Sequence, residues 1–524
     1  MIDLEAHGLL PQTPPRDPGG PGTIARLLDG ALAAHPERLA LVGRHGRYTV
    51  AELDDVVRRA AQALRSLGVG EGDRVGASLP NDVDIVIAFL AAMRLGAIWV
   101  GLNRALAGPE KAYMLRDSQT SVFLGDVEMV AHVEGERSSL PDLREVIAVE
   151  RWRALIEAAS DEPIDDVVVD RLSPAAIAYT SGTTGFPKGA VHTHHNLLLP
   201  GTAQRLLYPR RNAPVLGVPL PLTLINLIVL GPLVAYQNDS TVVAMDRIDA
   251  VGMAEWISQE GITMFSAVPA MVHDLLTNPA VSDDMLSSLD GIGVGGADMP
   301  DAFRQLYQKR FGRRVGTGYG LTEAPTAVTL EDPEEPPVPG SCGRALPQVS
   351  ITIRSDDGAV LPPGDAGEVC IGPAEDGPLA GVYRPMLGYW NRPEETAVAL
   401  RGGVLHTGDI GALDEAGNLF IKDRKNDLIL RGGANVYPAE VERVLHDDPR
   451  VVACAVVGVA DERLGERVAA YVQLRDGETP CAEELIAHCR RELAAYKAPE
   501  TVTFVDDFER TPMGKIKRSA LRSR

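Results

Sequence analysis

The sequence predicts an α/β protein: a large N-terminal body of several subdomains, with mostly parallel sheets plus a β-rich subdomain, followed by a small α+β C-terminal domain. Three observations carry this. The chain has 524 residues, which at roughly 150 residues per domain gives about three domains or one large body with a smaller companion. Apolar residues make up 45% and charged residues 23%, close to the globular average and enough to bury large cores. Helix-like and strand-like periodicities then alternate along much of the chain.

Taken in order, residues 1–23 cluster Pro and Gly, start acidic and lack an apolar run, so they read as a loose tail and not a signal peptide. Ala51 to Gly68 repeats apolar residues at helical spacing and ends on a Gly stop. A strand at Arg74 to Leu79, a helix at Val83 to Gly96 and a strand at Ala97 to Gly101 continue the βαβ rhythm of a parallel sheet. Ala175 to Ala178 is a further apolar strand. Asn212 to Asn238 carries no charge and is long enough to span a bilayer, but Pro219, Pro221 and Pro232 interrupt it, so it reads as buried core. Val349 to Ile353, Gly367 to Ile371 and Gly417 to Ile421 are short β-runs between Gly, Asp and Pro turns, the mark of an antiparallel subdomain. From about Asp427 the pattern changes again. A helix at Ala439 to His446, strands at Val451 to Val457 and Val468 to Leu474, and a helix at Ala482 to Ala495 suffice for a small domain.

Composition also excludes function classes. The 51 Lys and Arg against 72 Asp and Glu give a net charge of -21, which repels a phosphate backbone or an anionic bilayer and argues against a nucleic-acid partner. Five cysteines without C-x-x-C spacing fit reduced thiols in a cytoplasm. Only 5% of residues are aromatic, so the cores are expected to be aliphatic.

Chemistry first shows at Tyr179 to Gly189, YTSGTTGFPKG. Thr180, Ser181, Gly182, Thr183, Thr184 and Gly185 supply a small-residue backbone and hydroxyl donors suited to wrapping phosphate oxygens, and Lys188 adds a positive charge. This is not a Walker loop, because Gly189 follows Lys188 where that motif needs Ser or Thr. Gly291 to Gly296 satisfies G-x-G-x-x-G, but the next helix begins only after Pro300 and no acidic residue follows at the dinucleotide spacing, so an NAD-dependent oxidoreductase has little support. His192, His194 and His195 lie too close together on one segment to close a metal tetrahedron; His194, His195 and Asn196 are expected to open a helix at Leu197 to Leu207, with Thr193 or Asn196 near its cap.

Tyr179 to Gly189 resembles the signature phosphate loop of the adenylate-forming superfamily of acyl-CoA synthetases, peptide-synthetase adenylation domains and luciferases. Four further stretches agree in the family's order: Gly318 to Glu323 (GYGLTE), His406 to Asp409 (HTGD), Asp423 to Glu442, and Arg510 to Lys515 (RTPMGK). The resemblance covers the chain from about Ile24 to the end.

It implies an AMP-forming acyl-CoA ligase using ATP, Mg²⁺ and coenzyme A. The adenylation domain would span 24–423, the hinge 424–426 and a mobile C-terminal domain 427–524. Glu323 would hold Mg²⁺, a hard cation that prefers oxygen, and Thr322 would donate to the α-phosphate. Tyr319 offers adenine a flat face, with Gly320 beside it and Gly296 and Ala297 on the other side of the base. Asp409 and Arg424 would reach the ribose, and Lys515 would stabilise charge during adenylation. After rotation about Asn426, where relatives carry Asp or Lys, Arg431, Gly432 and Gly433 would line the coenzyme A tunnel, since a narrow tunnel needs backbone without side chains.

The acyl pocket is expected around Leu222, Thr223 and Ala324, with Pro221 and Leu222 where relatives often carry an aromatic residue and a His. No charge lies among these positions, so neither a dicarboxylate nor an amino acid finds a partner. An apolar acid, whether fatty, cyclic or aromatic, is expected. Loading of a carrier protein instead of coenzyme A is the alternative within the family.

Overall fold

The computed structural model describes all residues except 1, 165–166, 181–185, 208–213, 295–300, 313, 326, 333–334, 337, 425–427, 476, 480, 510–515, 517, 519–520 and 522–524. At 269, 301–303, 422–424 and 439 it describes backbone alone. Two open sheets organise the body. The first runs, edge to edge, through Gly388–Tyr389, Lys188–Thr193, Pro174–Thr180, Ile98–Gly101, Arg74–Ser78, Val122–Gly125 and Glu145–Ala148. It is parallel from Pro174–Thr180 onward and antiparallel at the edge carrying Lys188 and Tyr389. The second runs through Gly291–Val294, Met264–Ala267, Val215–Val218, Thr241–Ala244, Leu39–Gly43 and Gly46–Thr49, antiparallel only in its last pair.

Helix Val83–Arg94 touches strands of both sheets. Every residue from Val83 through Met93 is buried, which is why its sequence is apolar all round and not striped. Its single buried acid, Asp84, meets Arg153 at 2.5 Å, as an interior charge must. The neighbouring helix Val50–Ser66 is amphipathic and starts on a capping box: the Thr49 hydroxyl accepts from Glu52 N at 3.3 Å, and the Glu52 carboxylate accepts from Thr49 N at 2.8 Å. Such a cap contributes about 1 kcal/mol.

The expected antiparallel subdomain is a four-stranded sheet, Val349–Arg354, Gly367–Pro373, Leu405–Leu413 and Leu419–Arg424. Its last strand starts two residues later than the β-pattern, because Gly417 adopts φ 81° in the hairpin turn. At the C-terminal end, strands Val451–Asp461 and Gly465–Leu474 anchor a five-stranded sheet. Helices Pro438–His446 and Ala482–Glu492 cover one face, and Phe508 and Leu521 pack on the other, where Ala455, Val457, Ala469 and Tyr471 point. The described part of the uncharged segment before Asn238 holds the strand Val215–Val218 and then the short, mostly buried helices Ile225–Ile228, Val229–Leu233 and Val234–Gln237, and among the described residues no helix is long and apolar enough to cross a membrane.

Two expectations are corrected. The N-terminal segment is not loose: Leu9 is buried, His7 stacks on Trp390 at 3.9 Å, and Leu10 N donates to Leu387 O at 2.8 Å. One apolar anchor and backbone pairing hold what its composition suggested was free. The helix expected from Leu197 begins at His194, with the Thr193 hydroxyl accepting from Asn196 N at 3.1 Å.

Candidate active site

The antiparallel edge of the first sheet builds one half of the site. Lys188 opens its strand opposite Thr180, and the edge strand places Tyr389 opposite Ala190. The Lys188 ammonium consequently lies 4.8 Å from the centre of the Tyr389 ring, a cation–π distance. The turn after Leu321 presents Thr322 and Glu323 to the same place, where the Tyr389 hydroxyl donates to Glu323 Oε1 at 2.8 Å. Burial pushes the Glu323 carboxyl above its usual value, opposed by the Tyr389 hydrogen bond and the Lys188 charge. Burial, reinforced by the Glu323 charge, keeps the Tyr389 phenol protonated. Behind the turn, His192 Nε2 donates to the Thr322 carbonyl at 2.8 Å. Burial lowers the His192 pKa to about 4, so the ring is a neutral support for the turn.

The antiparallel subdomain builds the other half. Strand Leu405–Leu413 carries Asp409, whose N–H donates to Thr407 Oγ1 at 3.1 Å and whose Oδ2 accepts from the Tyr319 hydroxyl at 2.5 Å. Arg424 is its register partner on the next strand. Gly408 takes φ 77° and donates its N–H to Glu368 Oε1 at 3.2 Å. Glu368, Cys370 and His406 are close enough to suggest a metal site, but Glu368 is committed to Arg401 and to the Gly408 amide, and His406 lies 3.2 Å from the Cys370 sulfur. The cluster is a hydrogen-bonded footing for the Gly408 turn.

The structure thus brings together Lys188, Thr322 and Glu323, and separately Tyr319 and Asp409, with the Asp409 charge close enough to act on Glu323. Positions 181–185, Gly296, Ala297, Asn426 and Lys515 lie outside the described residues, as does the Arg424 side chain. Leu222 and Thr223 do not line an open wall. Both are buried, Leu222 joins the largest core, its N–H donates to Asn81 Oδ1 at 2.8 Å, and a Cβ on Gly101 would meet Thr223 O at 2.0 Å. Their backbone is pressed against the first sheet, and the next residue, Leu224, is the exposed one at 42%. Ala324 is buried beside Glu323. Arg431 is held by Glu500 through its Nε at 2.8 Å, while Gly432 and Gly433 form a positive-φ turn whose second member would place a Cβ 2.3 Å from Val268 Cγ1.

Tyr389 and His192 were missed by sequence reasoning. Tyr389 sits 66 residues from Glu323 with no local pattern to mark it. His192 stands out in the sequence only as one of three neighbouring histidines, and nothing local marks its hydrogen bond to the Thr322 carbonyl.

A family model described as AMP-binding enzyme matches residues 28–390, and one described as AMP-binding enzyme C-terminal domain matches 440–515. The chain is 34% identical to long-chain-fatty-acid–CoA ligase FadD13 of Mycobacterium tuberculosis over 91% of its length and 93% of that protein. It is 35% identical to a feruloyl-CoA synthase of Amycolatopsis sp over 92% and 95%. Among solved structures, o-succinylbenzoate CoA synthetase MenE of Bacillus subtilis, a double mutant bound with its product analogue OSB-NCoA, matches at TM-score 0.84 and 30% identity, covering 95% of this chain and 98% of that one. An ATP-bound RpMatB-BxBclM chimera matches at 0.70 and 28% identity, covering 96% and 99%. The chain belongs to the AMP-binding enzyme family of the adenylate-forming superfamily and is an AMP-forming acid–thiol ligase.

Proposed function

We propose that this ligase activates an apolar carboxylic acid, fatty, cyclic or aromatic, and transfers the acyl group to coenzyme A. In the first step a carboxylate oxygen attacks the α-phosphorus of ATP and pyrophosphate leaves. The loop at 181–185 and Lys188 hold the triphosphate, Thr322 donates to the α-phosphate, Tyr319 and Gly320 face the adenine, and Asp409 and Arg424 hold the ribose. Lys515 stabilises the charge that develops on the transferring oxygens. The Glu323 carboxylate is a hard oxygen donor that fits Mg²⁺, which when bound offsets phosphate charge. In the second step the thiolate of coenzyme A, its proton lost to solvent, attacks the acyl carbon; the carbon–oxygen bond to AMP breaks and the thioester forms.

The reading of two steps on two faces assigns residues 24–423 to adenylation, 424–426 to a hinge and 427–524 to a domain that rotates between the steps. The orientation seen here suits the second step. The turn at Gly432 and Gly433 packs on Val268, next to the strand Met264–Ala267, and the chain overlays the product-analogue complex better than the ATP complex at near-equal identity and coverage. The five free cysteines suit a cytoplasmic enzyme.

The observation that carries the substrate class is that no charged residue stands between Pro214 and Asn238 or from Met264 to Met271 along the sequence, which leaves Glu323, assigned to the nucleotide side, as the one charge next to the expected wall residue Ala324. A dicarboxylate or ammonium buried there without a partner would cost several kcal/mol, whereas each buried CH₂ contributes about 0.8 kcal/mol. The test is a panel of linear, cyclic and aromatic acids with malonate and amino acids as controls, following pyrophosphate, AMP and thioester with and without coenzyme A. We expect kcat/KM to climb with apolar size and then fall, with AMP the only adenosine product. Malonate or an amino acid as best substrate overturns the substrate class. Adenylation without any thioester from coenzyme A would move the acceptor to a carrier protein.

A further inference from the structure

The C-terminal unit meets the body through a buried ionic cluster that no step above uses. Lys497 Nζ lies 2.8 Å from Glu110 Oε1 and 2.8 Å from Glu440 Oε2, with the three side chains 5%, 8% and 2% exposed. Glu110 belongs to the body helix Gly108–Asp117; Lys497 and Glu440 belong to the C-terminal unit. The other oxygen of Glu110 accepts the Ala107 N–H at 2.9 Å, capping its own helix, and the Ala494 N–H at 2.6 Å, reaching across the interface. Ala494 is buried in the body's core, and Tyr496 packs against the cores of both units. A second anchor lies alongside. Arg443 of the C-terminal unit sits 4.6 Å over the ring of Phe186, which stacks on Tyr113 at 5.1 Å. Phe186 lies within the signature stretch Tyr179 to Gly189.

Two carboxylates around one ammonium are a poor permanent glue, because desolvating ions offsets much of their attraction. They are well suited to a contact that is made and broken. Lys497 and Glu440 travel together and stay paired in any orientation. Only the Glu110 contacts form on docking, and Glu110 is already held in place by its helix cap, so little side-chain freedom is lost when they form.

We propose that Glu110, with Lys497 and Glu440, is a latch that holds the C-terminal unit in the docked orientation and so positions the turn at Gly433 for thioester transfer. This rests on the reading that the docked orientation serves the second step. Glu110 is a positioning residue and touches no substrate. The Arg443–Phe186 contact couples the same docking to the phosphate loop.

The test separates the half-reactions in the full-length enzyme: pyrophosphate release with the best acid, and thioester formation from supplied acyl-adenylate and coenzyme A. Glu110→Gln and Lys497→Met should slow the second by about 10- to 100-fold while pyrophosphate release stays within about threefold or rises. Lys497→Arg, which keeps the charge, should recover most of the loss. Arg443→Ala removes the outer anchor and one nearby positive charge from Glu440 but leaves Glu110, Lys497 and Glu440 themselves in place; it should fold normally and should show the same selective loss in smaller degree. Equal loss in both halves for the folded variants, or no loss in either, overturns the latch. A parent enzyme that adenylates acids but forms thioester unaided by docking, as judged by full activity in Gly433→Leu, overturns the reading beneath it instead.

Discussion

At Glu323 three side chains from distant parts of the chain, Glu323, Tyr389 and Lys188, set the charge state of one buried carboxylate. Burial opposes ionisation; the Tyr389 hydroxyl at 2.8 Å and the Lys188 charge favour it. Removing the carboxylate, Glu323→Gln, should lower the rate of pyrophosphate release by about two to three orders of magnitude, in line with loss of one preorganised electrostatic group. Tyr389→Phe should lower it by about tenfold, the loss of one hydrogen bond to a charged acceptor, and should raise the Mg²⁺ concentration needed for half-maximal rate. A Tyr389→Phe enzyme with unchanged Mg²⁺ dependence would separate Tyr389 from the carboxylate's function. Glu323, Lys188 and Asp409 stand out as candidates in the sequence because each sits in a short local motif. Tyr389 does not, since its role comes from strand pairing with Ala190, a tertiary fact that no window of sequence contains.

Among the elements, the strand Lys188–Thr193 and the helix after it bury three imidazoles whose pKa values fall to about 4 at His192, about 3 at His194 and about 4 at His195, each mainly through desolvation. The unfolded chain protonates them near the ordinary 6.5, so it binds more protons than the fold throughout the interval below. The stabilisation from keeping them neutral is therefore complete above pH 6.5 and is lost as pH falls towards 4, at roughly 1.4 kcal/mol per pH unit for each ring. The urea midpoint should fall steeply between pH 6.5 and 5, before most carboxylates titrate, and His195→Gln should remove about a third of that slope. Elements of this kind were largely legible: the helix at Val50–Ser66 and the strand at Arg74–Ser78 lie within a residue or two of their periodicity. What periodicity could not tell was which residue of an all-apolar run is buried and which is exposed. Leu222 is core and Leu224 is exposed, so Leu222→Ala should cost about 2–5 kcal/mol of stability by leaving a cavity. Leu224→Ala should leave the unfolding midpoint nearly unchanged yet shift the preferred acid towards bulkier ones, which kcat/KM across the acid panel measures.

For the whole molecule, the quantity hidden from the sequence is the orientation of the C-terminal unit. The motifs fix what each unit carries, but orientation depends on a few contacts between residues far apart in the chain, such as Val268 with Gly433 and Glu110 with Lys497. Gly433 is the sharpest probe, because two independent constraints meet there. Its φ of +84° disfavours any L side chain, and a Cβ would lie 2.3 Å from Val268 Cγ1. Gly433→Leu should then force the turn off Val268 and block the docked orientation, while the site formed by Lys188, Glu323 and Asp409 stays intact in the body. Thioester formation from supplied acyl-adenylate should fall by about 100-fold or more, and pyrophosphate release should hold within a few-fold, since a shift from mostly docked to mostly undocked needs only a few kcal/mol. Lys515→Ala should give the opposite lesion, losing adenylation by about two to three orders of magnitude and keeping thioester transfer. Both half-reactions measured on both variants give four rates. If the two variants lose the same half, or if each loses both equally, one orientation serves both steps and the alternation of faces is wrong. Crossed losses mean that the two chemistries belong to two arrangements of one chain.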